Sequence, residues 1–224
     1  MKVEIWSDVV CPWCYLGKRR FESALAGFEH RDEVEVIWRS FELDPEAPAQ
    51  RDVDLATHLS RKLNVTREQA LAMQQRVTDL GTADGIGFRQ DIARSGNTFN
   101  AHRLLHLAAG HGRQGELKER LMDAYHVQGE PIGDTATLER LAVESGLPAE
   151  EVSELLGGDR FAAEVREEER TASSFGIGGV PFFVVDRALG VSGAQSSETF
   201  AEMLERGWQN RPGVSDAAGA GARN

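Results

Sequence analysis

Cys11 and Cys14 are the residues whose types and spacing could do chemistry. They stand in the segment CPWC, separated by Pro12 and Trp13, and the 224-residue sequence holds no further cysteine. Two thiols at this spacing can form a reversible disulfide, supply half of a zinc site, or pack as small apolar side chains in a core. A structural disulfide would close too small a loop to constrain the unfolded chain.

The segments on either side of the pair favour redox chemistry. KVEIWS, with the alternation of a strand, precedes it, and YLGKRRFESALAGF, with a helical apolar pattern, follows it. Cys11 is therefore predicted at the start of a helix, where unpaired N–H groups and the helix dipole stabilise a thiolate. Pro12 suits the first helical turn because its missing N–H is not needed there. Cys14, one turn further on, suits the thiol that resolves a mixed disulfide.

Zinc binding is the competing chemistry. His102 and His106 lie in one predicted helix at a spacing that puts both imidazoles on one face, and the two cysteines would complete a Cys₂His₂ set. The two halves are much further apart in the sequence than in a compact zinc finger, and there is no second C-x-x-C. We therefore expect a redox pair that needs neither a metal ion nor another cofactor.

The composition limits the partners. Hydrophobic residues make up 41% of the chain, charged residues 27%, and the formal net charge is −11. A strongly acidic chain is a poor match for nucleic acid, which is bound through clustered Lys and Arg. No apolar run approaches the ~20 residues that span a membrane, and Glu4 and Asp8 interrupt any secretory signal. We expect a cytoplasmic protein with no nucleic-acid or membrane partner.

The elements that must position the cysteines follow from hydrophobic periodicity. Strands are predicted at 2–7, 34–39 and 180–185, a helix after the CPWC segment, successive helices across 52–175, a hairpin partner after 185, and a last helix at 196–209. Thr66 and Gln69 have the spacing of a capping box that opens one of the inner helices. Gly81 and Gly85 are expected to break that helix.

The order of these elements predicts an α/β protein. Without the helical stretch, the βαβ–ββα order is that of a thioredoxin fold, and a block this long is best explained as an inserted helical subdomain. The predicted domains are a discontinuous thioredoxin-like domain at 1–50 and 176–211 and an inserted α-helical subdomain at 51–175. Residues 212–224 are predicted to be a disordered tail.

The motifs, taken in order, resemble the DsbA-like branch of the thioredoxin superfamily, and within it the FrnE-like cytoplasmic group. They are WSDVVCPWCYLG, WRSFELDP, NTFNAHRL, GIGGVPFF and VSGAQ, and the resemblance extends over about residues 3–208. It implies a disulfide reductase or isomerase in which Cys11 attacks and Cys14 resolves. The implied substrates are proteins or peptides that contain disulfides, with a low-molecular-weight thiol such as glutathione as a further partner.

The resemblance also implies a substrate site. Pro181 would be a cis-proline opposite Cys11, and Val180 would offer its backbone to an extended peptide, a form of strand addition. Pro12 and Trp13 would lie at the rim of this site.

Asn97 and His102 match a motif shared with related glutathione-using isomerases and would line the same cleft. Each has a purely structural alternative: Asn97 as the N-cap of a helix and His102 as a packed side chain.

Trp13 departs from the DsbA pattern. Periplasmic DsbA has a histidine at this position, which helps to stabilise the nucleophilic thiolate, whereas an indole offers one neutral N–H donor. We therefore predict that the cysteine pair is less oxidising than that of DsbA.

Two other classes of function remain open. One is a glutathione-dependent isomerase related to 2-hydroxychromene-2-carboxylate isomerase, or a tailoring enzyme of secondary metabolism. Such isomerases typically have serine where this chain has Cys11, so the intact C-x-x-C favours redox chemistry. The other is a non-enzymatic binding or chaperone protein.

Overall fold

A four-stranded mixed sheet forms the centre of the computed structural model, which describes residues 1–211. The strands are β1 (Lys2–Ser7), β2 (Glu35–Ser40), β3 (Phe182–Val185) and β4 (Leu189–Ser192), arranged in the order β2-β1-β3-β4. β1 and β2 are parallel, whereas β3 runs antiparallel to both β1 and β4. The predicted α/β class and βαβ–ββα order are thereby confirmed. The predicted tail at 212–224 lies outside the described residues.

The helices fall into a flanking pair and an inner series. The flanking helices are α1 (Pro12–Ala26) and α9 (Ser197–Gln209). The inner helices are α2 (Leu55–Leu63), α3 (Arg67–Ala83), α4 (Phe99–Gly110), α5 (Gln114–His126), α6 (Thr135–Glu144), α7 (Ala149–Gly157) and α8 (Ala162–Ser174). This series interrupts the sheet between β2 and β3, as the sequence predicts, while the domain boundaries themselves stay a prediction.

The alternation of β1 places its side chains in two different layers. Val3 and Ile5 are fully buried in the apolar cluster that α1 and α9 build on one face of the sheet. Trp6 points to the other face, where its indole Nε1 donates to the carbonyl of Glu168 on α8 at 2.9 Å. The sheet is therefore covered on both faces, and the carboxyl end of β1, which leads to Cys11, is held between them.

Helix α3 shows one predicted feature and one error. The capping box is present: the Gln69 N–H donates to the Thr66 hydroxyl at 3.1 Å, and the Thr66 N–H donates to the Gln69 side chain at 2.9 Å. Gly81, however, lies inside the helix. A Cβ there would lie 2.2 Å from the ring of Phe88, so the glycine is required for packing and does not end the helix.

A buried carboxylate fastens α8 to the edge of the sheet. Glu168 accepts hydrogen bonds from Arg39 Nη1 and from the Ser40 N–H, each at 2.7 Å, and its Oε2 lies 3.2 Å from His106 Nε2. Burial alone would raise the pKa of Glu168, but these partners lower it to about 2.

The depressed pKa of Glu168 predicts a loss of stability in acid. Because the folded pKa is below the usual one, the stabilisation is complete above about pH 4.5 and is lost as the pH falls towards 2. The loss is on the order of 3 kcal/mol. Glu168→Gln should be less stable at neutral pH and should show a weaker decline in acid, measured by urea unfolding at several pH values. The exposed neighbour variant Glu167→Gln should follow the wild type, and an identical acid response in all three proteins would contradict the prediction.

Candidate active site

The two thiols lie at the amino end of α1. Cys11 is the N-cap of the helix, Pro12 occupies its first position, and the Cys14 N–H donates to the Cys11 carbonyl at 3.0 Å. Both cysteines are free, and their exposed fractions are 3% and 1%. The structure thus places Cys11 where the unpaired N–H groups of a helix begin, as the sequence predicts.

The turn before β3 meets Cys11 from the opposite side. The Cys11 Sγ lies 3.6 Å from the Val180 carbonyl oxygen, and the Val180–Pro181 peptide bond is cis. Gly17 on α1 permits this approach, since a Cβ there would lie 3.0 Å from the Pro181 ring. The structure therefore brings together Cys11, Val180 and Pro181, whose roles with substrate stay predictions.

Trp13 lies in the first turn of α1, between the two cysteines. Its side chain is 39% exposed, so it covers the start of α1 without entering the core. Pro12, beside it, is partly exposed. Both residues are thus accessible from solvent, while their place at the rim of a substrate site stays a prediction.

A buried lysine lies behind the cysteines. Lys118 of α5 has no exposed surface, and its Nζ donates to the Ser7 carbonyl at the end of β1 at 3.2 Å. No carboxylate of residues 1–211 lies within ion-pair distance of this ammonium group. The positive charge is therefore left to act on the groups beside it.

Lys118 and Cys14 each shift the pKa of the other. Burial, together with the neighbouring Cys11, raises the pKa of Cys14 well above its usual value, and Lys118 opposes this rise. Burial lowers the pKa of Lys118 to about 8, and Cys14, Asp8 and Cys11 act against that lowering. Lys118 therefore supplies the positive charge that makes the buried Cys14 thiolate less costly.

The buried carboxylate of Asp8 interacts with Lys118, with His102 and with the backbone of Leu43. Its Oδ2 accepts from the Leu43 N–H at 2.8 Å, and its Oδ1 lies 3.4 Å from His102 Nε2, without hydrogen-bond geometry. Burial would raise the pKa of Asp8, but His102, the Leu43 N–H and Lys118 together hold it below its usual value. His102 is 1% exposed and contacts Asp8, so its contact with a ligand stays a prediction.

Asn97 holds a loop beside the site. Its backbone N–H donates to the Pro48 carbonyl at 2.8 Å and its side-chain amide to the Pro45 carbonyl at 3.3 Å. Its side-chain oxygen accepts from the Phe99 N–H at 2.9 Å, while Thr98, rather than Asn97, is the N-cap of α4. The observed role of Asn97 is thus to fix the loop at 45–48, and a ligand contact stays a prediction.

The histidines of the zinc alternative have other partners. His106 lies 3.3 Å from the Ser40 hydroxyl and contacts Glu168, while His102 faces Asp8. Residues 1–211 contain no group of three or more His, Cys, Asp or Glu side chains arranged to hold a metal ion. In the same range, no helix combines the length and the apolarity needed to cross a membrane.

Sequence reasoning gave no role to Lys118 or Asp8. A signal for Lys118 was present, because it shares one face of α5 with Leu121, Met122 and Tyr125, all at most 1% exposed. A lysine on the apolar face of a helix is rarely buried without a function or a partner. Asp8 lies inside the WSDVVCPWC motif but has no local pattern that indicates its burial.

Comparison with solved structures gives close and distant relatives. A probable DsbA oxidoreductase from Streptomyces coelicolor is 45% identical, with a TM-score of 0.90 over 95% of this chain and 92% of that one. The cytosolic disulfide reductase DsbM from Pseudomonas aeruginosa, solved with GSH, is 18% identical, with a TM-score of 0.66 over 93% of this chain and 100% of that one. At that identity the second likeness shows the fold alone.

Comparison of sequences identifies the family. The uncharacterized protein YwbO of Bacillus subtilis is 27% identical over 206 residues, which are 90% of this chain and 94% of YwbO. The profile of the DSBA-like thioredoxin domain matches residues 2–205. The chain therefore belongs to the DSBA-like thioredoxin domain family, whose members include DsbA-type oxidoreductases.

Proposed function

We propose that this protein is a thiol–disulfide oxidoreductase of the disulfide reductase or isomerase type. It acts through the Cys11–Cys14 pair on protein or small-molecule disulfides. The observation that carries the proposal is the position of the free Cys11 thiol, at the start of α1 and 3.6 Å from the Val180 carbonyl that precedes the cis-proline. An extended peptide that pairs with this backbone would present its disulfide to Cys11.

The reaction requires two exchanges. The Cys11 thiolate attacks one sulfur of the substrate disulfide, so that a Cys11–substrate bond forms and the other substrate sulfur leaves as a thiolate. Cys14 then passes its proton to the substrate thiolate already released or to water, and its own thiolate attacks the Cys11 sulfur and expels the second substrate sulfur as a thiolate. The protein dithiol is oxidised to a disulfide while the substrate disulfide is reduced. The same steps in reverse insert a disulfide.

We further propose membership of the FrnE-like group and a cytoplasmic setting, in which glutathione serves as a low-molecular-weight thiol. The motif resemblance supports the group. The fold is shared with DsbM, a cytosolic disulfide reductase solved with GSH. Since thiols are mostly reduced in the cytoplasm, reduction or isomerisation fits this setting better than bulk oxidation.

A glutathione-dependent isomerase is the second candidate. A 2-hydroxychromene-2-carboxylate isomerase shares the fold, with a TM-score of 0.66 at 11% identity. The two free thiols at the start of α1 favour disulfide exchange over this chemistry, because isomerisation by bound glutathione needs no second protein thiol.

Reduction of insulin by dithiothreitol tests the proposal. The wild-type protein should accelerate precipitation of the insulin B chain at least several-fold over dithiothreitol alone, because a positioned thiolate reacts faster than a free one. The Cys11→Ser/Cys14→Ser double variant, as a folded control, should give no acceleration. A wild-type curve that coincides with dithiothreitol alone would argue against the redox function.

A further inference from the structure

A cavity of about 140 Å³ opens next to Pro12, the residue that follows Cys11. Its apolar wall includes Val10, Leu55, Leu59 and the ring of Tyr125. The loop that Asn97 fixes and helix α2 enclose it from above. The lining thus includes the residues on both sides of Cys11 in the sequence, and the electrostatic influence of Cys11 reaches Tyr125 on the cavity wall.

Three polar side chains with donor groups line this cavity, and two of them have a buried donor atom with no protein partner. Tyr125 is 1% exposed, and its hydroxyl is the first of these donors. Gln90 Nε2 and Ser95 Oγ are the two that are buried and unpaired within residues 1–211. Burial raises the pKa of Tyr125, so its hydroxyl keeps its proton and acts as a donor. Unpaired buried donors are costly, and these two, with the Tyr125 hydroxyl in the same lining, indicate a ligand rich in acceptors.

The charge of the cavity specifies the ligand further. Arg51 is paired with Asp44, whereas Lys62 donates only to the Leu43 carbonyl at 3.0 Å and has no carboxylate partner among the described residues. Burial lowers the pKa of His58, with help from Arg51 and Lys62, so this imidazole is neutral at neutral pH. One positive charge thus remains uncompensated, in a chain whose net charge is −11. A carboxylate satisfies both the charge and the donors.

The size of the cavity suits one ring. An apolar cavity of about 150 Å³ in another protein holds a benzene molecule. The space beside Pro12 is similar in volume, and its wall is apolar apart from the polar and charged residues named above. An apolar or aromatic body with one carboxylate therefore matches its volume, surface and charge.

We propose that this cavity binds the organic group of a small carboxylate-bearing disulfide while its sulfur reacts with Cys11. The inference rests on the proposed function and names its small-molecule substrate class. The reaction is balanced: the protein dithiol and the disulfide RSSR give the protein disulfide and two RSH. Tyr125, Gln90 and Lys62 bind the carboxylate and do not take part in the exchange of sulfur bonds.

The test compares two aromatic disulfides. The disulfide of thionitrobenzoate carries a carboxylate on each ring, whereas dipyridyl disulfide is neutral. For each disulfide, the rate constant of the reduced protein is divided by the rate constant of free dithiothreitol. The quotient for the disulfide of thionitrobenzoate, divided by the quotient for dipyridyl disulfide, is the preference for the carboxylate. We expect a preference of at least about tenfold in the wild type. Tyr125→Phe should lower it about tenfold and the surface variant Lys62→Gln about threefold, while Arg61→Gln, one residue away, should leave it within about twofold.

A wild-type preference near one, or a preference unchanged in both Tyr125→Phe and Lys62→Gln, would overturn the inference. Binding of nitrobenzoate, measured by calorimetry on Cys11→Ser, tests the cavity without any redox step. Retained binding there, together with a lack of reaction of the wild type with either disulfide, would refute the proposed function and leave the carboxylate site standing. Reaction of the wild type with both disulfides but no nitrobenzoate binding would refute the carboxylate site alone.

Discussion

In the Cys14→Ser variant, the mixed disulfide between Cys11 and its substrate is expected to accumulate to nearly one equivalent of protein. In the wild type, Cys14 lies one helical turn from Cys11 and resolves this intermediate within the molecule. An intramolecular attack of this kind has an effective concentration on the order of 10⁵ M or more, so the intermediate stays scarce. Mass spectrometry after mixing with a small disulfide, under conditions that quench thiols, should show the adduct on Cys11 in the variant alone.

The matched control is Cys11→Ser, which should form no adduct and lose disulfide reduction by about a thousandfold or more. The asymmetry follows from the site, since Cys11 contacts the Val180 carbonyl at the surface expected to bind substrate, whereas Cys14 is 1% exposed and burial raises its pKa. An adduct on Cys14 in Cys11→Ser, formed as fast as that on Cys11, would contradict the assigned order of attack.

The secondary structure was largely predictable because local patterns determine it. β1, the parallel β2, the hairpin of β3 and β4, and α9 with its Ser196 cap all follow from periodicity and capping residues. β2 begins at Glu35, one residue later than predicted, because its pairing starts opposite Lys2. Gly81 was misjudged for a related reason: whether a glycine ends a helix depends on what packs against it, here Phe88.

The site was only half predictable, for a physical reason. The cysteines and the Val180–Pro181 turn carry recognisable motifs, whereas the Lys118 contact with Ser7 joins residues more than a hundred positions apart. Asp8 and His102 are also far apart in the sequence, at a separation of 94 positions. Burial of a charge is decided by the packing of several elements at once, and no single segment of sequence records it. The unpaired donors of Gln90 and Ser95 likewise become visible only when separate segments have formed the cavity.

Lys118→Met is expected to slow the release of substrate from the mixed disulfide by about ten- to a hundredfold at neutral pH. Burial raises the pKa of Cys14, and Lys118 is the cation that opposes this rise, so its loss leaves more Cys14 protonated. The pH profile of the release step should therefore lie at higher pH in Lys118→Met than in the wild type. Without Lys118, the Cys14 thiolate forms only at higher pH. Attack by Cys11 on the substrate should change much less, and stopped-flow measurement of both steps from neutral to alkaline pH separates them.

Lys18→Met is the control for this experiment. Lys18 is also buried, but it forms ion pairs with Glu22 and Glu119. These carboxylates offset the effect of its charge on the cysteines. Its replacement should leave the pH profile of the release step in place, even if the protein becomes less stable. Lys118→Met also removes a charge that lowers the pKa of the buried Asp8, so urea unfolding should first show that both variants are folded under the conditions of the assay. A release step with the same pH profile in Lys118→Met and the wild type would show that Cys14 gains its thiolate without Lys118.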